Sequence, residues 1–505
     1  MRKIISISLA IAATASMSYA QANTELQELR QQIQQLEQRQ QELEKQRFDQ
    51  RLSRVEAQAM GDNLKFDVDY RVTMDSLKYK LHSGATQENS SLLANRMILG
   101  MNFRPNDSVR FAGKLAYNKA FGDTANHSQS NTDPGYANFD WVVNENPLDN
   151  TLKVKEAYFH YATSMGSVPF AASLGRRPST DGFLAHLREG DSHYQSPLAH
   201  SINVEFDGAS FTWQLEGLIG LPGSSFKICT GRGLTNANPR FDMMGYDYAK
   251  DESLHSNIDM LGFIFQPYSD GQYTVQTQAF KAWNLIGFTG ADMMAYQNAV
   301  GTFMMDPDPN NLANNYVNMM MAQPSFSDVG DMYGATVSVL ANGVGDFNSF
   351  LDNTKLFVSY AVSQTLPNDS MSMLGSTDNK TGYSIWMGAE IPGMITRNGR
   401  LGFEYNEGSK YWRSFTYGED TMIGSKLAAR GKAYEAYYTQ PLVGNTLSMQ
   451  LRYTYIDYDY TGSNAFFGDD GAPQTIADAA AAGAAMGMDP VDSASDIRLS
   501  FRYRF

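Results

Sequence analysis

From Phe66 onward the chain alternates apolar and polar residues in segments of about ten, each closed by a break. Phe66, Val68, Tyr70, Val72 and Met74 share one face, while Asp67, Asp69, Arg71 and Thr73 share the other. Met97, Leu99, Met101 and Phe103 oppose Ile98, Gly100, Asn102 and Arg104 in the same way. Val109, Phe111, Leu115 and Tyr117 oppose Arg110, Lys114 and Asn118. Phe211, Trp213 and Leu215 oppose Thr212, Gln214 and Glu216, and Leu447, Met449, Leu451, Tyr453 and Tyr455 oppose Gln450, Arg452 and Thr454. The chain ends on Ile497, Leu499, Phe501, Tyr503 and Phe505 against Arg498, Ser500, Arg502 and Arg504. A period of two is that of a β-strand. A strand with one apolar and one charged face needs an apolar medium on one side and water on the other. A barrel with a lipid-facing wall and a polar lumen supplies both.

Counting such segments gives about sixteen strands, an even number as in single-chain bacterial barrels. The breaks fall into two classes. Short ones occur at Pro105–Asp107, Thr163–Ser167, Asp207–Ala209, Pro267–Gly271, Pro392–Gly399 and Pro441–Asn445. Long ones alternate with them at Lys119–Thr151, Pro178–Ser201, Leu221–Ser256, Leu285–Asp331, Ser409–Lys432 and Asp459–Ser495. Short periplasmic turns alternating with long extracellular loops explain this sorting, and a soluble sandwich has no reason to show it. The predicted fold is an all-β transmembrane barrel, antiparallel, over residues 61–505. Both of its ends are expected on the periplasmic side of a bacterial outer membrane. Tyr437, Tyr438, Tyr503 and Phe505 suit aromatic girdles.

The start of the chain agrees with export. Arg2 and Lys3 precede an apolar run from Ile4 to Ala15, with small residues at Ser18 and Ala20. This reads as a signal peptide over residues 1–20, with a cut after Ala22 as the alternative. The run is too short to span a bilayer. Residues 21–60 are rich in Gln and Glu, and Leu26, Leu29, Ile33, Leu36 and Leu43 follow a three-four spacing with Gln40 in the remaining slot. The spacing predicts a short periplasmic coiled coil and, through it, a homotrimer. The heptad breaks between Leu43 and Phe48. One amphipathic helix lying on its own barrel would use the same apolar stripe. Loss of Arg2 and Lys3 takes the formal charge from −14 to −16, which argues against nucleic-acid binding.

Candidate chemistry is sparse. Cys229 is the single cysteine, expected in a loop, so no intrachain disulfide can form and covalent haem attachment is excluded. His186, His193 and His200 recur every seven residues and could ligate zinc or copper if their loop folded back. A polar loop folded into the lumen uses them equally well. Met243–Met244, Met293–Met294, Met304–Met305 and Met319–Met321 read as loop clusters, better as packing filler than as copper ligands. Asp306, Asp308, Asp469 and Asp470 could hold Ca²⁺, with solvated acidic loops the simpler reading. No motif unites serine and histidine into a triad, so no enzyme, cofactor or metal centre is expected. Strand parity turns Arg71, Arg110, Lys114, Glu156, Glu404, Glu435, Arg452, Arg498 and Arg502 toward the lumen. Mixed charge hydrates a diffusion pore and biases it among solutes; the same charges could instead pair in a plugged barrel.

The aromatic ending, Tyr503 and Phe505, resembles the signal by which barrel-assembly machinery recognises its clients. Three stretches, Gly175–Gly182 (GRRPSTDG), Glu404–Trp412 (EYNEGSKYW) and Tyr458–Ser463 (YDYTGS), resemble an uncharacterised family of porin-like proteins of Gram-negative bacteria with an N-terminal coiled coil. The resemblance implies a passive outer-membrane pore for small hydrophilic solutes or ions, in contact with outer-membrane lipid, and brings no established substrate. A barrel that sheathes a partner such as a periplasmic electron-transfer protein, and an outer-membrane tether, are the alternatives.

Overall fold

A computed structural model describes residues 64–505, apart from 123–146, 148–149, 179–180, 192, 195–197, 252–254, 306–310, 346, 397 and 485–486. The expected signal peptide and coiled coil, with its seam from Leu26 to Leu43, lie outside the described residues, as do Asp306 and Asp308. Sixteen strands form one closed barrel. They are β1 (Leu64–Leu81), β2 (Thr86–Phe103), β3 (Val109–Ala120), β4 (Lys153–Met165), β5 (Val168–Arg177), β6 (Phe206–Gln214), β7 (Ser225–Leu234) and β8 (Ile258–Ser269). The second half comprises β9 (Tyr273–Gly287), β10 (Ser327–Asn342), β11 (Lys355–Pro367), β12 (Thr381–Pro392), β13 (Arg400–Gly408), β14 (Gly431–Val443), β15 (Leu447–Tyr458) and β16 (Val491–Arg504). Each strand neighbours the next in sequence, and β1 closes antiparallel on β16 with Arg71 opposite Arg502 and Asp75 opposite Arg498.

The alternation of the sequence becomes the two faces of this wall. On β16, Ile497 and Phe501 are 51% and 43% exposed, while Arg498 and Ser500 between them are 1% and 4% exposed. Outward residues near the short-turn end form an aromatic row, with Phe170 5.2 Å from Trp213, Trp213 6.1 Å from Phe226, and Phe226 6.3 Å from Phe263. Toward the other end a tyrosine row runs through Tyr405, Tyr434 and Tyr455 at 5.3 and 6.4 Å. Val339, Val358, Phe403 and Leu451 are exposed on the same outer wall. Such a face is stable only against an apolar medium. Tyr437, expected in a girdle, instead faces inward and is buried. The shortest connection, between β4 and β5, is Gly166–Ser167, and Gly166 has φ 65°. A tight hairpin turn of this length needs positive φ, which glycine adopts without steric cost.

Two sequence expectations fail at β6–β8. Asp207–Ala209, expected as a turn, lies inside β6, and the expected long loop from Leu221 to Ser256 contains β7. Cys229 therefore sits on a strand, paired with Ser210 and Gly262. Leu215 and Glu216 leave the strand for a short helix, α2 (Glu216–Ile219), which follows α1 (Ala185–Glu189) in the chain. Met293–Met294 and Met304–Met305 are on α3 (Gly290–Met305), and Met319–Met321 are on α4 (Leu312–Met321), so these methionines are helical.

The lumen is not an empty cylinder. The described residues of 178–205, between β5 and β6, and 409–430, between β13 and β14, fold inward. Phe183, Leu184, Leu187 and Leu198 pack with Leu427 against Ile264, Leu340, Phe357 and Trp386 of the wall. Ile202, Val204 and Phe415 join Phe466 and Phe467 in a second cluster against Met260, Phe280 and Met332. The two inward loops also pair with each other, Asn203 N donating to Phe415 O at 2.6 Å and Phe415 N to Ser201 O at 2.8 Å. Burying backbone this deep requires such pairing.

Candidate functional site

Each inward loop carries charges that meet those of the wall. Arg71 on β1 donates from Nη2 to Asp420 Oδ1 at 3.0 Å, and Arg498 on β16 donates to the same oxygen at 3.0 Å. Arg498 Nε also reaches Asp75 at 2.5 Å, while Arg452 on β15 donates to the Asp420 carbonyl at 2.7 Å. Lys426 bridges Glu404 on β13 at 2.7 Å and Glu435 on β14 at 2.5 Å. Arg188 of α1 lies 3.3 Å from Glu419 and 3.4 Å from Glu435. Glu189 accepts from Arg502 Nη1 at 3.0 Å, and Arg502 Nε donates to Asp69 at 2.8 Å. Apart from Asp69 and Arg502, the residues of this network are buried. Burial opposes ionisation of Asp420, but Arg71, Arg498 and Arg452 outweigh it and hold the carboxyl well below the usual carboxylate range. Burial and Asp420 push Glu189 up, and Arg502, Arg188 and Arg71 outweigh them and hold its carboxyl below the usual carboxylate range.

The inward-facing residues named from sequence thus divide into two groups. Arg71, Glu404, Glu435, Arg452 and Arg498 are all inside, but they are buried against the plugging loops. Arg110, Lys114, Glu156 and Arg502 line a cavity of about 770 Å³ at the short-turn end, together with Asp67, Asp69, Asp181 and Asp191. Lys114 and Glu156, register partners on β3 and β4, pair side by side on its wall at 2.7 Å. Tyr503 on β16 pairs with Tyr70 on β1, and Phe505, just past the strand, borders this cavity. Sequence reasoning missed Arg188, Glu189, Glu419, Asp420 and Lys426. For the histidine loop the sequence already allows the folded-in reading, and the further signal is the mixing of buried-type apolar residues, Phe183, Leu184 and Leu187, with its charges.

The three histidines are not brought together. His200 is fully buried, with Nδ1 2.8 Å from Ser359 Oγ and Nε2 2.9 Å from Ser384 Oγ, between Trp386 and Trp412. His186 stacks near Phe183 and accepts the Leu184 amide at 3.1 Å. Among the described residues, no group of three or more metal-ligating side chains converges. Asp469 and Asp470, read from sequence as solvated acids or a Ca²⁺ site, are spent on the backbone. Asp470 accepts from Phe288 N at 3.1 Å and Phe466 N at 2.7 Å, and Asp469 from Gly290 N at 2.6 Å. They tie the β9–β10 and β15–β16 connections together.

Solved structures of similar architecture exist. Salmonella typhi OmpF in complex with daunomycin is 12% identical, with 88% of this chain and 99% of that one covered at a TM-score of 0.42. Pseudomonas putida OprB at high pH is 12% identical, with 89% and 96% covered at 0.45. The anion-selective porin from Comamonas acidovorans is 10% identical, with 87% and 100% covered at 0.42. No curated protein matches the chain. The family described as "Protein of unknown function (DUF3373)" matches residues 86–505, from β2 to the C-terminus, and the chain belongs to that family.

Proposed function

We propose that this protein is an outer-membrane channel for passive movement of small hydrophilic solutes or ions, narrowed by its own loops. The supporting observation is the polar cavity of about 770 Å³ between the β1–β4 wall and the plug. It holds titratable side chains of both signs, as a hydrated path requires. An exposed apolar outer wall with aromatic rows near both ends suits a bilayer. In this reading the short turns, both barrel ends and the N-terminal helix face the periplasm, Tyr503 and Phe505 engage the assembly machinery, and the coiled coil clasps a homotrimer. The sheath alternative would need the part of the lumen into which 409–430 and the described residues of 178–205 fold. Planar-bilayer recording on the purified barrel tests the proposal. Discrete conductance steps are expected, and a barrel silent at all voltages would overturn it.

A further inference from the structure

The wall opposite the plugged ion network has a different charge pattern. Strand pairing sets Arg110 of β3 opposite His160 of β4, His160 opposite Ser173 of β5, Ser173 opposite Ser210 of β6, and Ser210 opposite Cys229 of β7. These residues form one inward row, with Ser173 and Ser210 buried and their hydroxyls 3.2 Å apart. Parity puts Lys227 on the same face, two residues from Cys229. Arg110, Arg177 and Lys227 all act electrostatically on His160. Arg177 lines a small cavity with Gly208, Cys229 and Gly231, and its Nε is buried with no hydrogen-bond acceptor among the described residues.

Acids are scarce on this side. By parity the inner faces of β3–β8 carry one carboxylate, Glu156, which Lys114 neutralises at 2.7 Å. The inward loops contribute Glu205, paired with Lys155 at 2.6 Å, and Asp191, paired with Arg504 at 2.9 Å. Asp181 and, from β1, Asp67 face the cavity that Arg110 borders, and Asp181 acts on Lys114. Ala112, Ala162 and Ala171 are the small inner side chains beside the basic groups, and Ala112 borders the cavity of about 770 Å³ with Arg110. A surplus of positive charge on a low-dielectric wall, in a protein of net charge −14, focuses an anion-attracting potential.

We propose that Arg110, His160, Arg177 and Lys227 form an anion-binding strip that makes the lumen select small inorganic and carboxylate anions over cations. The selectivity part rests on the channel reading; the binding part does not. The test compares the full-length barrel with R110Q/R177Q, both checked for heat-modifiable migration as folded barrels. Two readouts are taken: the reversal potential in a KCl gradient, and binding of inorganic phosphate to detergent-solubilised protein. The wild type should prefer chloride and bind phosphate. The double variant should move toward equal permeability and bind phosphate about tenfold or more weakly, having lost charge-assisted donors. A conducting wild type that prefers cations or neither ion overturns the selectivity and leaves the channel standing. A silent barrel that still binds phosphate in an Arg110- and Arg177-dependent way upholds the strip and removes the channel. Phosphate affinity unchanged in R110Q/R177Q, or absent from the wild type, overturns the strip itself.

Discussion

Asp420 is the point at which the plug depends most on a single charge. It lies on the inward loop 409–430 and answers two wall arginines, Arg71 and Arg498, both buried. Asp420→Asn keeps the shape but leaves Arg71 with only the more distant Glu189 at 3.7 Å, and Arg498 with Asp75 at 2.5 Å and Asp496 at 3.9 Å. Removing one partner of a buried ion pair costs about 3–5 kcal/mol. At 1.4 kcal/mol per decade this shifts the docked-to-undocked ratio of the loop by roughly two to three and a half orders of magnitude. Trp412, Phe415 and Leu427 remain buried on the same loop, each worth about 1.5–3 kcal/mol. The loop should therefore not leave the lumen outright but open in bursts. Single-channel recording should show a new, larger and short-lived conductance level, and a thermal melt should shift down. Arg71→Met with Asp420→Leu should recover much of the loss, because an apolar pair replaces the charges while Arg498 keeps Asp75. An Asp420→Asn barrel with wild-type conductance and melting would refute the idea that this network holds the plug.

Acid should loosen the same plug. Burial lowers the imidazole of His200 to about 3; burial and Lys355 lower that of His186 to about 4. The undocked loop takes up protons near an ordinary pKa of about 6.5 and the docked loop does not, so docking is intact above that pH and weakens as pH falls through about 6 to 4. The depressed carboxyls of Asp420 and Glu189 add their loss only below about pH 4; protease cleavage within 181–191, on the loop that carries both histidines, should track this profile, and flat susceptibility from pH 8 to 4 would contradict it. Deleting Phe505 should leave the chain undelivered and degraded in the periplasm, and normal membrane abundance of the deletion would count against recognition of the aromatic end. Replacing Ile33 and Leu36 with Asp should weaken a trimer toward heat and detergent while monomeric barrels still form, as native mass spectrometry would report; a wild type that is strictly monomeric removes the clasp.

What could be read from the chain followed from what generates the signal. Lipid-type and water-type faces alternate with period two, so β1, β2, β3, β15 and β16 were visible residue by residue, and the sorted break lengths implied closure. β7 was hidden because its inner face, Lys227, Cys229, Gly231 and Gly233, is mostly small rather than polar. The alternation fails where the lumen side packs closely against other backbone, as a Cβ on Gly231 would approach Phe206 Cβ at 3.0 Å. The inward direction of Arg71, Arg452 and Arg498 was legible, yet their state was not. Parity tells which way a side chain points, and the partner of Arg71 lies 349 positions away on a loop with no periodicity of its own. The helices carrying Met293–Met294 and Met319–Met321 were missed for a related reason: they show many exposed apolar groups and no buried stripe on α3.

In the proposed channel, two inward loops, and not the barrel wall, set the width of the water path. Single-channel conductance of the wild type beside a barrel in which residues 411–429 are replaced by a short Gly-Ser turn tests it most directly. Small steps are expected from the wild type and severalfold larger, stable steps from the shortened variant, with the barrel still folded. Equal conductance in the two would mean that the loop does not obstruct the lumen, and would contradict the account.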